Sequence, residues 1–558
     1  MHPGLWEVRQ VYSPVALKPI DAAAGSFQLI NRYEFTDLRG TVMLSWNLAV
    51  DGVTVKSGQQ AVPAVAPHTS VNIVIEGVQS TAVKLRNSRR LAETHLTVYM
   101  TLVNADEFRN AGHVLSIWQG DLSALSAVER ARLSGTIANS AAAQASARSA
   151  QHQSPVQQEE EPSLVRKLLT CCLPADNILV AKPGHKEQHQ SAQPVEMHQV
   201  RQQQPQGTPK ASMKALVPPI TLTVSGDILS LQGGGSEGVA VFEYLFSQSA
   251  GYFADLAFNG QIAAMAGPAP NLWRPTTDND KGGAFASFAA MWKRAGYDTT
   301  KLSDVLAVWS QSADMTSVTI DVQGVLPITN PVGNFNYTAK YIVWGDGKID
   351  FQSNYKFAPN DAAEEIVPLP RVGVIFQVPT DVEQLTWYGQ GPHENYPDRQ
   401  VSSPVGIYTA DLDALHTDYI KPQENGSRGG VRWVALESFS PANHGLVLTA
   451  APGTSVHTSI SRYTMDNLLT ARHTKDLVPA ANLEWFCAFF PLSQSFIALM
   501  KIIKFQESRL RPGRPRRRQL VVAPDAHGLP TPRHRVLARV HAPALHRIVQ
   551  HVIHRGHP

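Results

Sequence analysis

Three polar stretches of this chain hold the residue types from which a binding or catalytic site is made. They are Asn271 to Gly282 (NLWRPTTDNDKG), Trp387 to Arg399 (WYGQGPHENYPDR) and Pro422 to Arg428 (PQENGSR). The first offers Arg274, Asp278, Asn279 and Asp280, the second His393, Glu394, Asn395, Asp398 and Arg399, and the third Glu424, Asn425 and Arg428. Planar polar groups bind hydroxyls, while an aromatic ring takes the apolar face of a pyranose, so this mixture has the chemistry of sugar recognition. Glu394 with Asp398 or Glu424 also has the types of an acid/base pair. Glycoside cleavage needs two carboxylates roughly 5 to 9.5 Å apart, a separation that spacing along a chain does not fix. The other reading of the same residues is a set of ion pairs that knit long loops together, since such networks use the same types.

All three stretches are punctuated by Gly and Pro, which places them in loops at strand ends. The elements that must position them are β-strands. Tyr337, Ala339, Tyr341 and Val343 alternate up to a Gly345-Asp346-Gly347 turn, and Ile349, Phe351, Tyr355 and Phe357 alternate away from it, which predicts a hairpin. Val318, Ile320 and Val322 make another strand, as do Val372, Val374, Phe376 and Val378, with one short helix at Phe285 to Ala295. Residues 217–484 therefore read as a large, mostly antiparallel unit of two sheets packed face to face. An earlier section, residues 14–122, has shorter strands. Phe27, Leu29, Tyr33 and Phe35 share one face; Leu44, Trp46, Leu48 and Val50 another, continued by Val53 and Val55 after an Asp51-Gly52 turn. With Val71, Ile73 and Ile75, and Leu96, Val98, Met100 and Leu102, this spacing predicts an immunoglobulin-like sandwich. The fold class is all-β.

The rest of the chain differs in composition. Residues 123–216 are rich in Ala, Ser and Gln and read as a disordered linker or insertion, because they hold too little apolar surface to offset chain entropy. On that reading a protease cuts between Gln151 and Gln206 and leaves both β domains intact. Residues 485–558 form a divergent basic tail: from Arg511 onward there are ten Arg and one acid, Asp525. That segment alone carries +9 of a total of +3, leaving −6 for everything before it. The main body is thus mildly acidic and does not bind nucleic acid by charge. The tail reads either as a nucleic-acid arm or as the product of a shifted frame or unremoved intron. It lacks the aromatic platforms of the former.

At 558 residues the chain holds several domains, and 43% hydrophobic against 17% charged residues excludes a wholly disordered protein. Three cysteines, two of them the adjacent Cys171 and Cys172, make neither a disulfide framework nor a zinc site. The N-terminus has no secretory pattern, which favours a cytoplasmic protein, and the apolar run Trp485 to Phe505 is too interrupted for a membrane span.

WRPTTDNDKG, WYGQGPHENYPDR and PQENGSRGGVRW, in that order, resemble the signature stretches of the C-terminal large sandwich of the long β-galactosidases, glycoside hydrolase family 2. HPGLWEVRQVYSPV resembles the exit from that family's catalytic barrel, which implies that residues 1–13 are a remnant of that exit. Asn31-Arg32-Tyr33-Glu34-Phe35-Thr36, with Ala111-Gly112-His113, resembles the immunoglobulin-like domain that follows. The resemblance implies a mutarotase-like supersandwich and hydrolysis of β-galactosides such as lactose. It also implies that the two catalytic Glu, with Mg²⁺ and Na⁺, sit on a barrel this chain lacks, so no catalytic or metal-binding residue is assigned and the chain alone is expected to be inactive. By the same resemblance Asp278, Asn279, Asp280 and Gly282 belong to a mobile loop facing the substrate, and Trp485 stands near a sugar-stacking tryptophan. Implied partners are a β-galactoside or other carbohydrate, a barrel-containing chain in trans and further copies of itself. Two other readings stay open: a non-catalytic carbohydrate-binding or subunit-interface module, and an aldose-epimerase-like enzyme using His393 and Glu424.

Overall fold

In the computed structural model, residues 2–79, 93–122, 217–235, 241–282, 287–329, 332–360, 368–438, 445–489 and 500–502 are described. The Gln-rich segment with Cys171 and Cys172, and the basic tail beyond residue 502, lie outside them.

In the strand Val42–Val50 every second residue is buried, and Val42, Leu44, Trp46, Leu48 and Val50 form one wall of a core. Asp51 (φ 46°) and Gly52 (φ 79°) both take positive φ, the backbone of a two-residue hairpin turn whose twist matches its strands. The chain returns as Val53–Ala61 and joins Thr94–Leu102 and Val114–Asp121 in a four-stranded sheet. Val15–Asp21, Ser26–Asn31 and Ser70–Val74 form a three-stranded sheet. Buried residues of both sheets share one hydrophobic cluster, which makes an immunoglobulin-like sandwich.

Two sequence expectations fail here. The strand stops at Asn31, whose side-chain amide donates to Thr36 O (2.8 Å) and Val65 O (2.7 Å) and turns the chain away. Phe35 is consequently 94% exposed and shares no face with Phe27. Val53 and Val55 lie on an edge strand with a bulge. Ala49 pairs with Thr54 and Leu48 with Lys56, so Val55 has no opposite residue and both valines face outward.

The second sandwich is larger. A ten-stranded sheet runs in the order Arg428–Val431, Val456–Ser461, Leu483–Phe489, Gly373–Val378, Ala266–Asn271, Tyr252–Phe258, Phe242–Ser247, Ile228–Gly233 and Thr221–Ser225, with Gln261–Ala264 paired to Tyr252–Phe258. A five-stranded sheet holds Ser303–Gln311, Ser317–Thr329, Val332–Trp344, Ile349–Pro359 and Met500–Ile502. A four-stranded sheet holds Val405–Asp411, Gln384–Gln390, Trp433–Glu437 and Gly445–Thr449. Three sheets therefore contribute to the core where two were expected. The chain leaves the first meander at Pro359, contributes Gly373–Val378 to the ten-stranded sheet, and only then builds the second meander; one continuous cluster joins all three. The predicted hairpin around Gly345-Asp346-Gly347 forms with full register from Gly333↔Pro359 to Val343↔Ile349. The short helix is Phe288–Ala295, started by Ser287, whose hydroxyl accepts from the Ala290 N–H, and stopped by Gly296 at φ 77°.

Three buried tyrosines lock the sheets to each other. Tyr244 Oη donates to Gly347 O (2.5 Å), Tyr341 Oη to Gly251 O (3.1 Å) and Tyr355 Oη to Gly373 O (2.6 Å), each reaching from one sheet to backbone at the other. The strand Leu483–Phe489 crosses the expected domain edge at residue 484. It pairs on both sides within the ten-stranded sheet, and Trp485, Phe486, Cys487 and Ala488 are buried.

The two sandwiches are tied by polar contacts. The Gln119 amide pairs with the backbone of Val405 through N–H (2.6 Å) and C=O (2.8 Å), and the Glu93 carboxylate takes Tyr388 Oη (2.7 Å) and the Arg432 guanidinium. A Cβ on Gly52 would come within 2.6 Å of Ile407 and 2.8 Å of Tyr388, so only glycine suits both that turn and that approach. The N-terminal helix Gly4–Val11 touches both domains. Gln10 bonds the backbone of Ile117 (3.0 and 2.6 Å), while Glu7 caps the N–H groups of Val401 (3.1 Å) and Ser402 (2.9 Å).

Candidate functional site

The three polar stretches meet around one cleft of about 640 Å³ at the end of the large sandwich. Its wall takes Arg274, Asp278, Asn279 and Asp280 from the first stretch, Asp398 and Arg399 from the second, and Glu424 from the third. Gly282 is exposed but lies off the lining.

The first stretch is a turn braced by hydrogen bonds. Thr277 caps the one-turn helix Asp278–Lys281, and Asp280 Oδ2 accepts from the Thr277 N–H (2.7 Å) and hydroxyl (2.8 Å). Arg274 grips the same carboxylate with two N–H groups (2.7 and 3.0 Å), gives its Nε to Pro370 O (3.1 Å), and lies 5.0 Å over the Trp292 ring. Burial alone would raise the Asp280 pKa, but Arg274 and Thr277 outweigh it and hold the group below the usual carboxylate range. Asp280 is therefore occupied in holding the turn, and Asp278 and Asn279 are the exposed members that the turn presents.

Glu394 is the hub of the other wall. Its side chain is 1% exposed and accepts from Arg399 Nη2 (2.5 Å), Tyr419 Oη (2.5 Å), Thr417 Oγ1 (2.9 Å) and the Gly426 N–H (2.6 Å). Burial pushes its pKa up, yet Tyr419, Gly426 and Arg399 prevail and it stays ionised below the usual range. Glu424 is also enclosed and bears Arg371; for it burial dominates, and its pKa is raised despite Arg371 and Arg274. Each glutamate thus has a dedicated guanidinium. Glu394 is sealed from the cleft, Asp398 is exposed on its rim, and the geometry is that of loop-knitting ion pairs.

Asn395 is fully buried, its Oδ1 accepting from the Gly429 N–H (2.8 Å). Asn425 Oδ1 accepts from the Thr417 N–H (3.1 Å). Arg428 is buried over Trp387, donating to Leu415 O (3.2 Å) and Gly426 O (2.7 Å); burial lowers its pKa to about 10, which leaves it charged. All three brace the loops.

His393 stands outside the cleft. Its ring stacks on Trp6 (5.5 Å between centroids) and its Nε2 meets the hydroxyls of Ser402 (2.9 Å) and Ser403 (3.1 Å). Burial first, then Arg428, Arg9 and Arg399, lower its pKa to about 4, so the ring is neutral. His393 does not line the cleft that Glu424 lines, so that cleft does not bring together the pair of the epimerase reading. Trp485 is 0% exposed, stacked on Phe376 (4.9 Å) with Nε1 donating to Thr458 Oγ1 (2.8 Å), and has no free face for a sugar.

Sequence reasoning missed Arg371, Tyr396, Tyr419 and His457 as wall residues. Tyr396 sits inside a quoted motif, but Arg371 precedes the strand Gly373–Val378 and His457 lies within the strand Val456–Ser461, with no local pattern to mark either. Among the described residues no group of three or more His, Cys, Asp or Glu side chains is placed to hold a metal. Of the four cleft carboxylates, Asp280 and Glu424 are each paired with arginine, Asp278 lies 3.6 Å from Lys281 Nζ and Asp398 stands on the rim; with no three of them grouped, this donor set does not fit Mg²⁺ or Na⁺. No helix among the described residues is long and apolar enough to cross a membrane.

Comparison with known proteins places two domains. Residues 27–123 match the family model described as β-galactosidase, domain 4, and residues 238–488 that described as β-galactosidase small chain. A β-galactosidase of Vibrio cholerae serotype O1 is 31% identical over 255 residues, covering 44% of this chain and 22% of that protein. One from Lactobacillus delbrueckii subsp. bulgaricus is 31% identical over 236 residues, 42% of this chain and 22% of that protein. One from Priestia megaterium is 27% identical over 226 residues, 40% and 20%. The aligned regions span about a fifth of the length of these curated relatives. Among solved structures, galactose 1-epimerase from Lactobacillus acidophilus NCFM matches with a TM-score of 0.25 and 9% identity, over 52% of this chain and 99% of that one.

Proposed function

Since this chain belongs to the β-galactosidases of glycoside hydrolase family 2, as a C-terminal part carrying domain 4 and the small-chain sandwich, we propose that it serves β-galactoside hydrolysis as the non-catalytic wall of the active site. The observation that supports this reading is the turn at Asp278: Arg274 and Asp280 immobilise it from beneath while Asp278 and Asn279 project at the cleft. A hydrogen-bonded turn with two exposed polar side chains suits the positioning of a sugar. None of the glutamates around the cleft is arranged for acid/base work, so bond cleavage belongs to carboxylates on a barrel-containing segment, and Mg²⁺ or Na⁺ belongs with that segment as well. Gly282 and Trp485 take no direct part in this reading.

The test is complementation. The 558-residue chain is assayed with a nitrophenyl β-galactoside alone and after mixing with a barrel-containing segment of a family 2 β-galactosidase. The expected result is no turnover alone and turnover on mixing, reduced when Asp278 and Asn279 are both changed to Ala. Turnover by the chain alone, or none on mixing with a segment that does complement another family sandwich, would overturn the proposal.

A further inference from the structure

The large sandwich is open along one flank. Ser303–Gln311 ends the five-stranded sheet and Thr221–Ser225 ends the ten-stranded one, and among the described residues no strand lies beyond either. The two edges run side by side. At one end the Gln311 amide donates to Ile220 O (2.7 Å) and the Ile220 N–H to Met315 O (2.7 Å). At the other, Gln248 donates its N–H to Asp227 O (2.9 Å), just past Ser225, while a Cβ on Gly251 would lie 3.2 Å from Val305 and 3.3 Å from Leu302.

Sheet edges are normally guarded by lysine, proline or a distortion, because their unpaired N–H and C=O groups recruit other strands. Here the guard is slight. Neither strand holds Lys, Arg or Pro, and their one charge is Asp304, within a bulge between Ser303 and Leu306. From Leu306 to Gln311 the strand is regular and uncharged. Apolar side chains crowd the same flank: Leu306 is 56% exposed, Val308 57%, Met315 52%, Val224 50% and Trp309 38%. Leu306 and Val308 stand on the outer face of their sheet, since Val305 and Ala307 pack against the core.

The regular stretch also matches itself. Laid antiparallel about a two-fold axis at Val308, it sets Val308 against Val308, Ala307 against Trp309 and Leu306 against Ser310. Each small residue then meets a larger one, and Asp304 falls beyond the paired stretch, so no like charges oppose each other. Both edges with the turn that follows Gln311 supply roughly 20 residues a side, the lower end of what stable interfaces use.

We propose that this flank is a homodimer interface, in which Ser303–Gln311 pairs antiparallel with its own copy in a second chain and joins two five-stranded sheets into one. The self-match selects a second copy over an unrelated extended segment, which would meet the edge without the symmetric pairing at Val308. This pairing needs no barrel-containing segment, so its failure and that of complementation are read separately.

The experiment measures the mass of the 558-residue chain by sedimentation velocity across a concentration series, and a reversible monomer–dimer equilibrium is expected. Val308→Lys and Val308→Glu each change an exposed side chain and set two like charges face to face. Either should weaken the dimer roughly tenfold or more and leave the thermal midpoint of the dilute monomer unchanged. An equimolar mixture of the two variants sets Lys against Glu and should restore the dimer, which neither loss of apolar surface nor partial unfolding produces. A monomeric wild-type chain, a dimer indifferent to both substitutions, or a mixture no more dimeric than the separate variants would each overturn the proposal.

Discussion

Replacing Glu394 by Ala should unfold the chain more readily by an amount that the cleft wall itself sets. The substitution takes the acceptor from four donors at once: the Arg399 guanidinium, the Tyr419 and Thr417 hydroxyls and the Gly426 N–H. With the side chain 1% exposed, water does not replace it. Removing one partner of a buried ion pair costs about 3 to 5 kcal/mol, and the smaller change Glu394→Gln, which keeps one carbonyl acceptor, should fall below that. The assay is urea unfolding followed by tryptophan fluorescence, repeated from pH 7 to pH 3. The folded-state pKa of Glu394 is depressed, so its contribution is fully present above the unfolded carboxylate value of about 4.3 and is lost as pH falls through the folded value. The gap between wild type and Glu394→Gln should accordingly be widest near neutrality and close in acid. A cost below about 1 kcal/mol at pH 7, or a gap that ignores pH, would refute the assignment of Glu394 as a structural hub. So would a Gln variant of normal stability whose complemented enzyme has lost turnover.

Two further outcomes are expected. Trp485→Ala should destabilise by about 3 to 5 kcal/mol, because the ring is fully buried against Phe376; an unchanged urea midpoint with lost sugar affinity would show instead that the ring meets ligand. Glu484 has its pKa raised to about 7, by burial first and by Asp466, against the Met465 N–H that it accepts at 3.0 Å. Between the ordinary carboxylate value and about 7 the folded state holds a proton that the unfolded chain lacks, so stability falls as pH rises through that window. Glu484→Gln should therefore gain on wild type at pH 8 and not at pH 4.5, and parallel stability–pH curves would refute this.

Where residues alternate over five or more positions, as in Val42–Val50 and Tyr337–Val343, sequence and structure agree, because a period of two leaves a half-buried strand little choice of face. Phe35 and Val55 escaped that logic because a buried amide ended one strand and a bulge shifted the other. The same limit applied to the division of the second layer into two sheets, which depends on where the chain crosses between layers. At the cleft, the three motifs were legible as one neighbourhood. Their roles were not, since whether Glu394 faces a cavity or four donors is decided by Thr417, Tyr419 and Gly426, which come from another segment. Arg371, which pairs with Glu424 from outside all three motifs, had no local signature at all.

Two apolar sheets pressed together resist separation but only weakly resist sliding, because hydrophobic contact has no direction. The phenols of Tyr244, Tyr341 and Tyr355, each aimed at a glycine carbonyl of the facing layer, act as dowels that fix the lateral offset between the sheets. Burial drives the pKa of all three well above that of a free phenol, so the dowels keep their protons in alkali strong enough to ionise exposed tyrosines. An ultraviolet titration should thus show these three rings silent until the fold gives way, and then ionising together, so that loss of sheet registry and loss of the fold are one optical event.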